Sequence, residues 1–345
     1  MHCFPLDPSK SIELDEIRQT GPVRYDPISV CCRGDSASNT GLPALGSQSA
    51  VTSATRLRVD IYSCGMISVA QSDIEKFDRD GFVVIEDLFT PADLKNFGDA
   101  VDSAVRDRVG DDSRLIGEKS LYEQSFQQCM NLWEDNPNVR ALTFHQEMGE
   151  LAASLLGAET LRIWHDQALY KEPGGRETDP HQDWPLWPMG PARQITAWIP
   201  FDGSTLDGGA TGYSPGSHRL GLAKFSDITR EIRDEPYPFF DHSEMANLVW
   251  VEAPVGSVVF HHSLTVHQAK ANTTDQIRRV YCVIYFEDGC VRSRPFWHQS
   301  LDRQGIEDGQ PIRGPVTPIV WPRPPGDLPG PPIGLGTPPK TGFRN

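Results

Sequence analysis

Residues 160–171 read TLRIWHDQALYK, and with them the chain changes period. Upstream, apolar residues recur at helical spacing; from here β-branched and aromatic residues come in short runs. QITAWIPF (194–201), GSVVFHH (256–262) and RRVYCVIYFE (278–287) are of the same kind, each bounded by Gly, Pro, Asp or Asn. No helical pattern of comparable strength separates these runs, except over 220–250. Parallel strands need long, usually helical crossovers, so their absence predicts an antiparallel arrangement. The expected fold is mainly β with flanking helices, as a sandwich or jelly roll.

Working outward, SDIEKFDRDGF (72–82) has Ser72 and Glu75 at capping-box spacing and stops at Gly81. FVVIEDLF (82–89) follows as a strand. TPADLKNFGDAVDSAV (90–105) offers Thr90 as N-cap, Pro91 at the first helical position, and Leu94, Phe97, Val101 and Val105 on one stripe. One further helix is expected from Val139 to Leu156, ended by Gly157. Residues 1–65 carry Ser, Thr, Gly and Pro without a sustained period and read as a poorly ordered extension, with Met66 an alternative start. The ordered domain is placed at 66–310. Residues 311–345 form a proline-rich tail that cannot sustain a helix or a central strand.

Composition excludes classes of partner. A net charge of −15 argues against nucleic acid or an anionic membrane surface, both of which call for a basic patch. No stretch reaches the roughly 18 apolar residues of a membrane helix, and the first residues have no apolar core for a signal peptide. Seven scattered cysteines without CxxC spacing fit reduced thiols, hence a cytoplasmic protein with a small-molecule partner. The sequence sets no oligomeric state.

TDPHQDWPLW (178–187) places His181 and Asp183 two apart. On an extended segment both side chains point the same way, so an imidazole nitrogen and a carboxylate oxygen can converge. By itself the pair is also a common loop hydrogen bond. FHHSLTVHQAKAN (260–272) supplies His261, His262 and His267 as candidates for a third ligand. Two histidines and one carboxylate on one face of an octahedron leave three positions open, the arrangement of non-haem Fe(II) oxygenases. In TTDQIRRVY (273–281), Arg278 or Arg279 enters a strand and can offer a guanidinium to a dicarboxylic cosubstrate; neighbours on a strand face opposite ways, so at most one points inward.

Taken in order, FDRDGFVVIEDLF (77–89), HQD (181–183), TAWIPFD (196–202), GGATGYSPGSHR (208–219) and GSVVFHHSLTVHQAKANTTDQIRR (256–279) resemble the phytanoyl-CoA dioxygenase-like oxygenases, which depend on Fe(II) and 2-oxoglutarate. The likeness covers about residues 70–290. It implies a double-stranded β-helix, a cupin-like jelly roll. It implies His181, Asp183 and His267 as iron ligands and, eleven residues beyond His267, Arg278 as the anchor of 2-oxoglutarate, with O2 as co-reactant. Halogenases similar to this site lack the carboxylate, so Asp183 favours hydroxylation or another C–H oxidation.

Further candidates follow. Gln167 precedes the HxD loop, and Thr196 and Trp198 share one face of their strand; all three are expected in the cosubstrate pocket, although Trp198 can equally be core. Trp184 and Trp187 follow the ligands and are expected to wall the substrate pocket. His261 and His262 have the wrong spacing to Arg278, His218 is expected to cap a turn, and His165 reads as an ordinary strand histidine. A specialised metabolite suits the tryptophans beside the metal loop. The competing reading is a cupin-type metalloenzyme, an isomerase or dioxygenase, that uses the triad without 2-oxoglutarate.

Overall fold

The computed structural model describes residues 69–110, 112–222 and 247–339. They belong to the compact unit Ser63–Asn345. The expected extension 1–65 and the alternative start at Met66 lie outside the described residues.

A short helix, α1 (Gln71–Asp80), ends where Gly81 takes the left-handed conformation, φ +81°, and leads into β1 (Phe82–Ile85). A side chain at Gly81 would strike His218 and Thr265 at 2.4 Å, so this turn needs glycine twice over. The expected capping box is not used. The helix starts earlier, with Ala70 as an N-cap without a side-chain bond, so Ser72 already lies inside the first turn, and Gln71 donates to Glu75. In α2 (Pro91–Val109), by contrast, Thr90 and Asp93 cap each other. Leu94, Val101 and Val105 are buried and Phe97 is half-buried, as the stripe requires.

After α3 (Leu121–Ser125) and β2 (Gln127–Met130), the expected helix 139–156 is two: α4 (Pro137–Thr143) and α5 (Gln146–Leu156). Asn136 caps α4. Its end is set by Thr143, whose hydroxyl bonds back to the Val139 carbonyl and out to Asp166 and Tyr281. Phe144 leaves the helical path and His145 is extended, so α5 starts afresh. Local periodicity cannot report a break made by partners more than twenty residues away.

The remaining strands are β3 (Leu161–Lys171), β4 (Thr178–His181), β5 (Met189–Gly190), β6 (Gln194–Pro200), β7 (Thr211–Tyr213), β8 (Val249–Val251), β9 (Val258–His262), β10 (His267–Ala269), β11 (Arg278–Glu287), β12 (Val291–Arg292) and β13 (Ile319–Trp321), with one helical turn, α6 (Gln299–Asp302), before β13. The major sheet runs β1-β9-β6-β11-β3-β13, with β2 also on β3; the minor sheet runs β4-β10-β7-β8. All pairings between them are antiparallel. This is the expected jelly roll. The proline-rich tail contributes one short strand, β13, paired on one side only, as proline beside it demands.

Both faces of the major sheet are covered, which is why its strands read as nearly continuous apolar runs. Ile195, Ala197 and Ile199 of β6 and Tyr281, Val283 and Tyr285 of β11 face the helices with Leu94, Leu151 and Leu142. The alternate residues, Trp198, Val280, Cys282 and Ile284, face the minor sheet with Tyr213 and Val251. Strand alternation therefore sorts each run into a helix-facing half and a half that lines the interior of the roll.

Candidate metal centre

Strands β4 and β10 pair so that His181 lies directly opposite His267, and their rings sit 4.2 Å apart. Asp183 arrives differently from the expectation. The strand stops at His181; Asp183 has helical backbone angles, φ −74° and ψ −41°, and opens the turn Trp184–Leu186. The amides of Asp183 and Trp184 both donate to the Ser263 carbonyl, and Gln182 donates to the Leu264 carbonyl, so the β9–β10 connection bends the loop. The carboxylate reaches the histidines because of that turn, not because of strand alternation.

The three ligand-type atoms lie within 4.8 Å of one another. One Asp183 oxygen, Oδ1, is 3.8 Å from Nε2 of both His181 and His267. Nδ1 of His181 is 2.7 Å from the Asp179 carbonyl and Nδ1 of His267 is 2.9 Å from the Thr265 carbonyl. A carbonyl only accepts, so each Nδ1 carries the proton and each Nε2 presents a lone pair to the centre. Burial lowers both imidazoles, His267 to about 3, keeping them neutral as ligands must be. Burial alone would raise Asp183, but in acid the charges that His267, His261 and His181 carry when protonated outweigh it, so the carboxylate is already ionised when the histidines have lost their protons.

The other Asp183 oxygen, Oδ2, is held by the sheet behind it: Nε2 of His261 lies at 3.2 Å and the Thr196 hydroxyl donates at 3.4 Å. Thr196 and His261 are register partners on β6 and β9. Spacing sets His261 aside, yet it holds the carboxylate of the candidate ligand Asp183. Strand alternation carried the signal, since His261 and Val259 share the face that lines the roll.

Arg278 is buried at the start of β11, opposite Lys171. One guanidinium nitrogen donates to the Gly209 carbonyl at 2.5 Å, and the group lies 5.7 Å over the Trp198 ring. Gly209, at φ +89°, has Lys171 at 3.0 Å where a Cβ would stand, so only glycine brings that carbonyl here. Nε of Arg278 is buried with no hydrogen-bond partner, and no carboxylate among the described residues pairs with the guanidinium. Burial pulls its pKa down to about 10. Arg279 faces the other way and is paired with Asp102 and Asp202 at 2.7 Å. Of the two arginines, the inward one is the unpaired one.

A pocket of about 1050 Å³, counting its solvent-open mouth, joins these groups; His181, Asp183, His267, Arg278, Gln167, Thr196, Trp198 and Trp187 all line it. Gln167 accepts from Gln128, which accepts from the Tyr122 hydroxyl. Trp184 is not on the pocket wall. Its ring lies 4.5 Å under the Arg294 guanidinium and its indole N–H donates to the Met189 carbonyl. His218 bonds to the Asp78 carbonyl near the end of α1, and His262 accepts from the Leu264 amide, so neither reaches the centre. Among the described residues no helix is long and apolar enough to cross a membrane.

Comparison with known proteins agrees with this arrangement. A phytanoyl-CoA dioxygenase from Arabidopsis thaliana is 30% identical over 199 residues, 55% of this chain and 66% of that protein's length. Phytanoyl-CoA dioxygenase domain-containing protein 1 from Rattus norvegicus is 26% identical over 284 residues, 68% of this chain and 96% of its own. Among solved structures, the non-haem alpha ketoglutarate dependent carbocyclase SnoK from nogalamycin biosynthesis superposes with a TM-score of 0.60 at 26% identity, covering 73% of this chain and 96% of that one. The epimerase SnoN, solved with Fe3+, alpha ketoglutarate and nogalamycin RO, shares the fold with a TM-score of 0.59 at 22% identity over 72% of this chain and 97% of its own. The family model for phytanoyl-CoA dioxygenase matches residues 77–280, more than half of the sequence, and the chain belongs to that family of Fe(II)/2-oxoglutarate-dependent oxygenases.

Proposed function

We propose that His181, Asp183 and His267 hold Fe(II), that Arg278 anchors the distal carboxylate of 2-oxoglutarate, and that the enzyme oxidises a C–H bond of a small specialised metabolite by hydroxylation or a related reaction, releasing succinate and CO2. The observation that carries this reading is a neutral-histidine, ionised-aspartate donor set lying in one pocket with a buried guanidinium that lacks a carboxylate partner among the described residues. An unpaired buried cation is costly, and an anionic cosubstrate offsets that cost.

Iron, 2-oxoglutarate and O2 supply the oxidising chemistry; the protein supplies binding, orientation and exclusion of water. The Asp179 and Thr265 carbonyls hold the two imidazoles in one tautomer. His261 and Thr196 hold Asp183 by the oxygen turned away from the other ligands. Trp198 lies beneath the Arg278 guanidinium, and Gln167 and Thr196 complete the cosubstrate end of the pocket. Trp187 walls the substrate end. The likeness to a carbocyclase of nogalamycin biosynthesis supports a specialised metabolite as substrate.

The test is an anaerobic titration of the purified protein with Fe(II) and 2-oxoglutarate, followed by its visible charge-transfer band, with His181→Ala and Arg278→Ala alongside. A band in the wild type, absent in His181→Ala and needing far more 2-oxoglutarate in Arg278→Ala, is expected. Iron binding without a band at any 2-oxoglutarate concentration would make the protein a cupin-type metalloenzyme instead. No iron binding would overturn both readings.

A further inference from the structure

The inner-face residues of β11 divide the pocket into rows. Pairing with β3 runs without interruption from Arg278↔Lys171 to Ile284↔His165; only beyond, where Tyr285 meets Ile163, is Trp164 an extra, bulged residue. The row of Ile284 holds Thr196 on β6 and His165 on β3, both on the pocket wall, and Thr196 donates to Asp183. The next inner row, at Cys282, holds Trp198 on one side and Gln167 on the other. Arg278 stands further along β11, with its guanidinium over the Trp198 ring. A molecule that reaches from Asp183 to Arg278 therefore crosses the row of Gln167.

Gln167 does not stand in that row as a free amide. Gln128 of β2 lies opposite Leu169, diagonal to Gln167, and its Nε2 donates to Oε1 of Gln167 at 2.6 Å. The Tyr122 hydroxyl of α3 in turn donates to Oε1 of Gln128 at 2.9 Å. Tyr122 is itself braced, edge-on against Phe126 at 5.1 Å, in a helix capped by Ser120. An amide has an acceptor end and a donor end, and each bond in this chain occupies the acceptor end of the next glutamine. Gln167 is left with its nitrogen turned outward. That Nε2 has no hydrogen-bond partner among the described residues, and unlike Nδ1 of His165 it is not sealed off, because Gln167 is only half-buried on the pocket wall.

We infer that Gln167 donates a hydrogen bond to an oxygen of 2-oxoglutarate between the metal ligands and Arg278, and that Gln128, backed by Tyr122, is a positioning residue that keeps the amide turned donor-outward. The inference deepens the iron and 2-oxoglutarate reading and rests on it. At neutral pH the cosubstrate carries only acceptor oxygens, so an amide turned the other way would set oxygen against oxygen. Gln128 prevents that turn, because it offers a donor where the Gln167 nitrogen would otherwise seek an acceptor.

The test reads 2-oxoglutarate affinity from the charge-transfer band of the anaerobic Fe(II) protein, and Fe(II) affinity separately, without 2-oxoglutarate. Gln167→Met keeps the length of the side chain and removes the amide. It is expected to weaken 2-oxoglutarate about tenfold, the worth of one hydrogen bond to a charged oxygen, with unchanged Fe(II) affinity; Gln167→Leu is the second variant should the first not fold. Gln128→Glu tests the positioning. The introduced carboxylate only accepts, so it draws Nε2 of Gln167 to itself and turns the amide oxygen to the pocket. It also adds a negative charge, and the same substitution in Gln167→Met reads the effect of that charge alone. Gln128→Glu is therefore expected to weaken 2-oxoglutarate about tenfold more in the presence of Gln167 than in its absence. The inference is overturned if Gln167→Met binds 2-oxoglutarate as the wild type does, if its Fe(II) affinity falls equally, or if Gln128→Glu has the same effect in both backgrounds. A wild type without a band would sink the iron and 2-oxoglutarate reading and this inference with it, whereas a normal wild-type band beside any of those three results sinks the inference alone.

Discussion

The two faces of the major sheet are made by alternate residues of the same strands, yet they treat polar groups in opposite ways. On the helix face, Asp166 of β3 is fully buried and its oxygens accept from the amides of Leu132 and Trp133 and from the Thr143 hydroxyl. Arg279 on that face has two aspartates, and Tyr281 has Thr143. On the face inside the roll, Arg278 and His165 keep nitrogens without partners. Both environments exclude water, so the difference is not one of burial. On these strands the polar groups that hold the fold are satisfied and two on the pocket side are not, although Nε1 of Trp133, in the helix-facing core, is also buried without a partner.

Substitutions at matched positions should separate the two faces. Arg278→Met is expected to raise the 2-oxoglutarate requirement by two orders of magnitude or more, the worth of a buried charge pair at about 3 kcal/mol, while leaving stability unchanged or improved, because the variant removes an unpaired buried cation. Asp166→Ala should do the reverse. It strands two amide donors beneath the sheet and is expected to destabilise by about 3 kcal/mol in urea unfolding, with unchanged affinity for 2-oxoglutarate in whatever fraction is folded. If Asp166→Ala weakened cosubstrate binding as much as Arg278→Met, the separation of the faces would be an illusion of the static structure.

His261 lies between these cases, since it faces the roll but is satisfied by Asp183. His261→Phe keeps an aromatic ring, somewhat larger, and removes the contact. Groups that orient a metal ligand are typically worth 10–100-fold in metal affinity, so Fe(II) binding in a competition titration should weaken by about tenfold or more. Wild-type affinity in this variant would mean that the 3.2 Å contact does not position the carboxylate.

Much of this arrangement was legible before any coordinates. Runs such as RRVYCVIYFE read as strands, and their order without intervening helices predicts antiparallel pairing; both are local signals. The HxD pair, His181 and Asp183, is a local signal; His267 and Arg278 stood out from His261, His262 and Arg279 only through the resemblance to the family. What escaped depends on partners far along the chain. The break between α4 and α5 is made by Thr143 bonding to Asp166 and Tyr281. The turn that delivers Asp183 hangs on the Ser263 carbonyl. The bulge at Trp164 is visible only against β11, and with it the placement of His165 on the wall. Trp184 and Trp187, three residues apart in one loop, are told apart only by Arg294, which claims the first.

Lys171 gives the finest test of the contrast. It is the register partner of Arg278 and, by strand alternation, shares the inner face; its ammonium donates to the Arg176 carbonyl and, at 3.4 Å, to the Thr178 hydroxyl, with no carboxylate partner among the described residues. Burial foremost, and the Arg278 charge next, pull its pKa down to about 6. The unfolded chain therefore holds a proton at this lysine that the folded chain has released, and the contribution of Lys171 to stability rises with pH above 6, by at most about 1.4 kcal/mol per unit. Asp166, raised by burial to about 6, works in the opposite sense and finishes its change below that window: what it contributes in acid is lost by the time pH passes 6. The unfolding free energy of the wild type minus that of Lys171→Met, from urea titrations, should thus rise from pH 6.5 to 8.5, since the buried histidines titrate alike in both. Saturating 2-oxoglutarate should reduce that rise, since an anion at Arg278 offsets the second cause of the shift while burial remains. A difference that does not grow with pH would place the titrating group elsewhere, and one indifferent to 2-oxoglutarate would mean that the cosubstrate's charge does not lie beside Arg278.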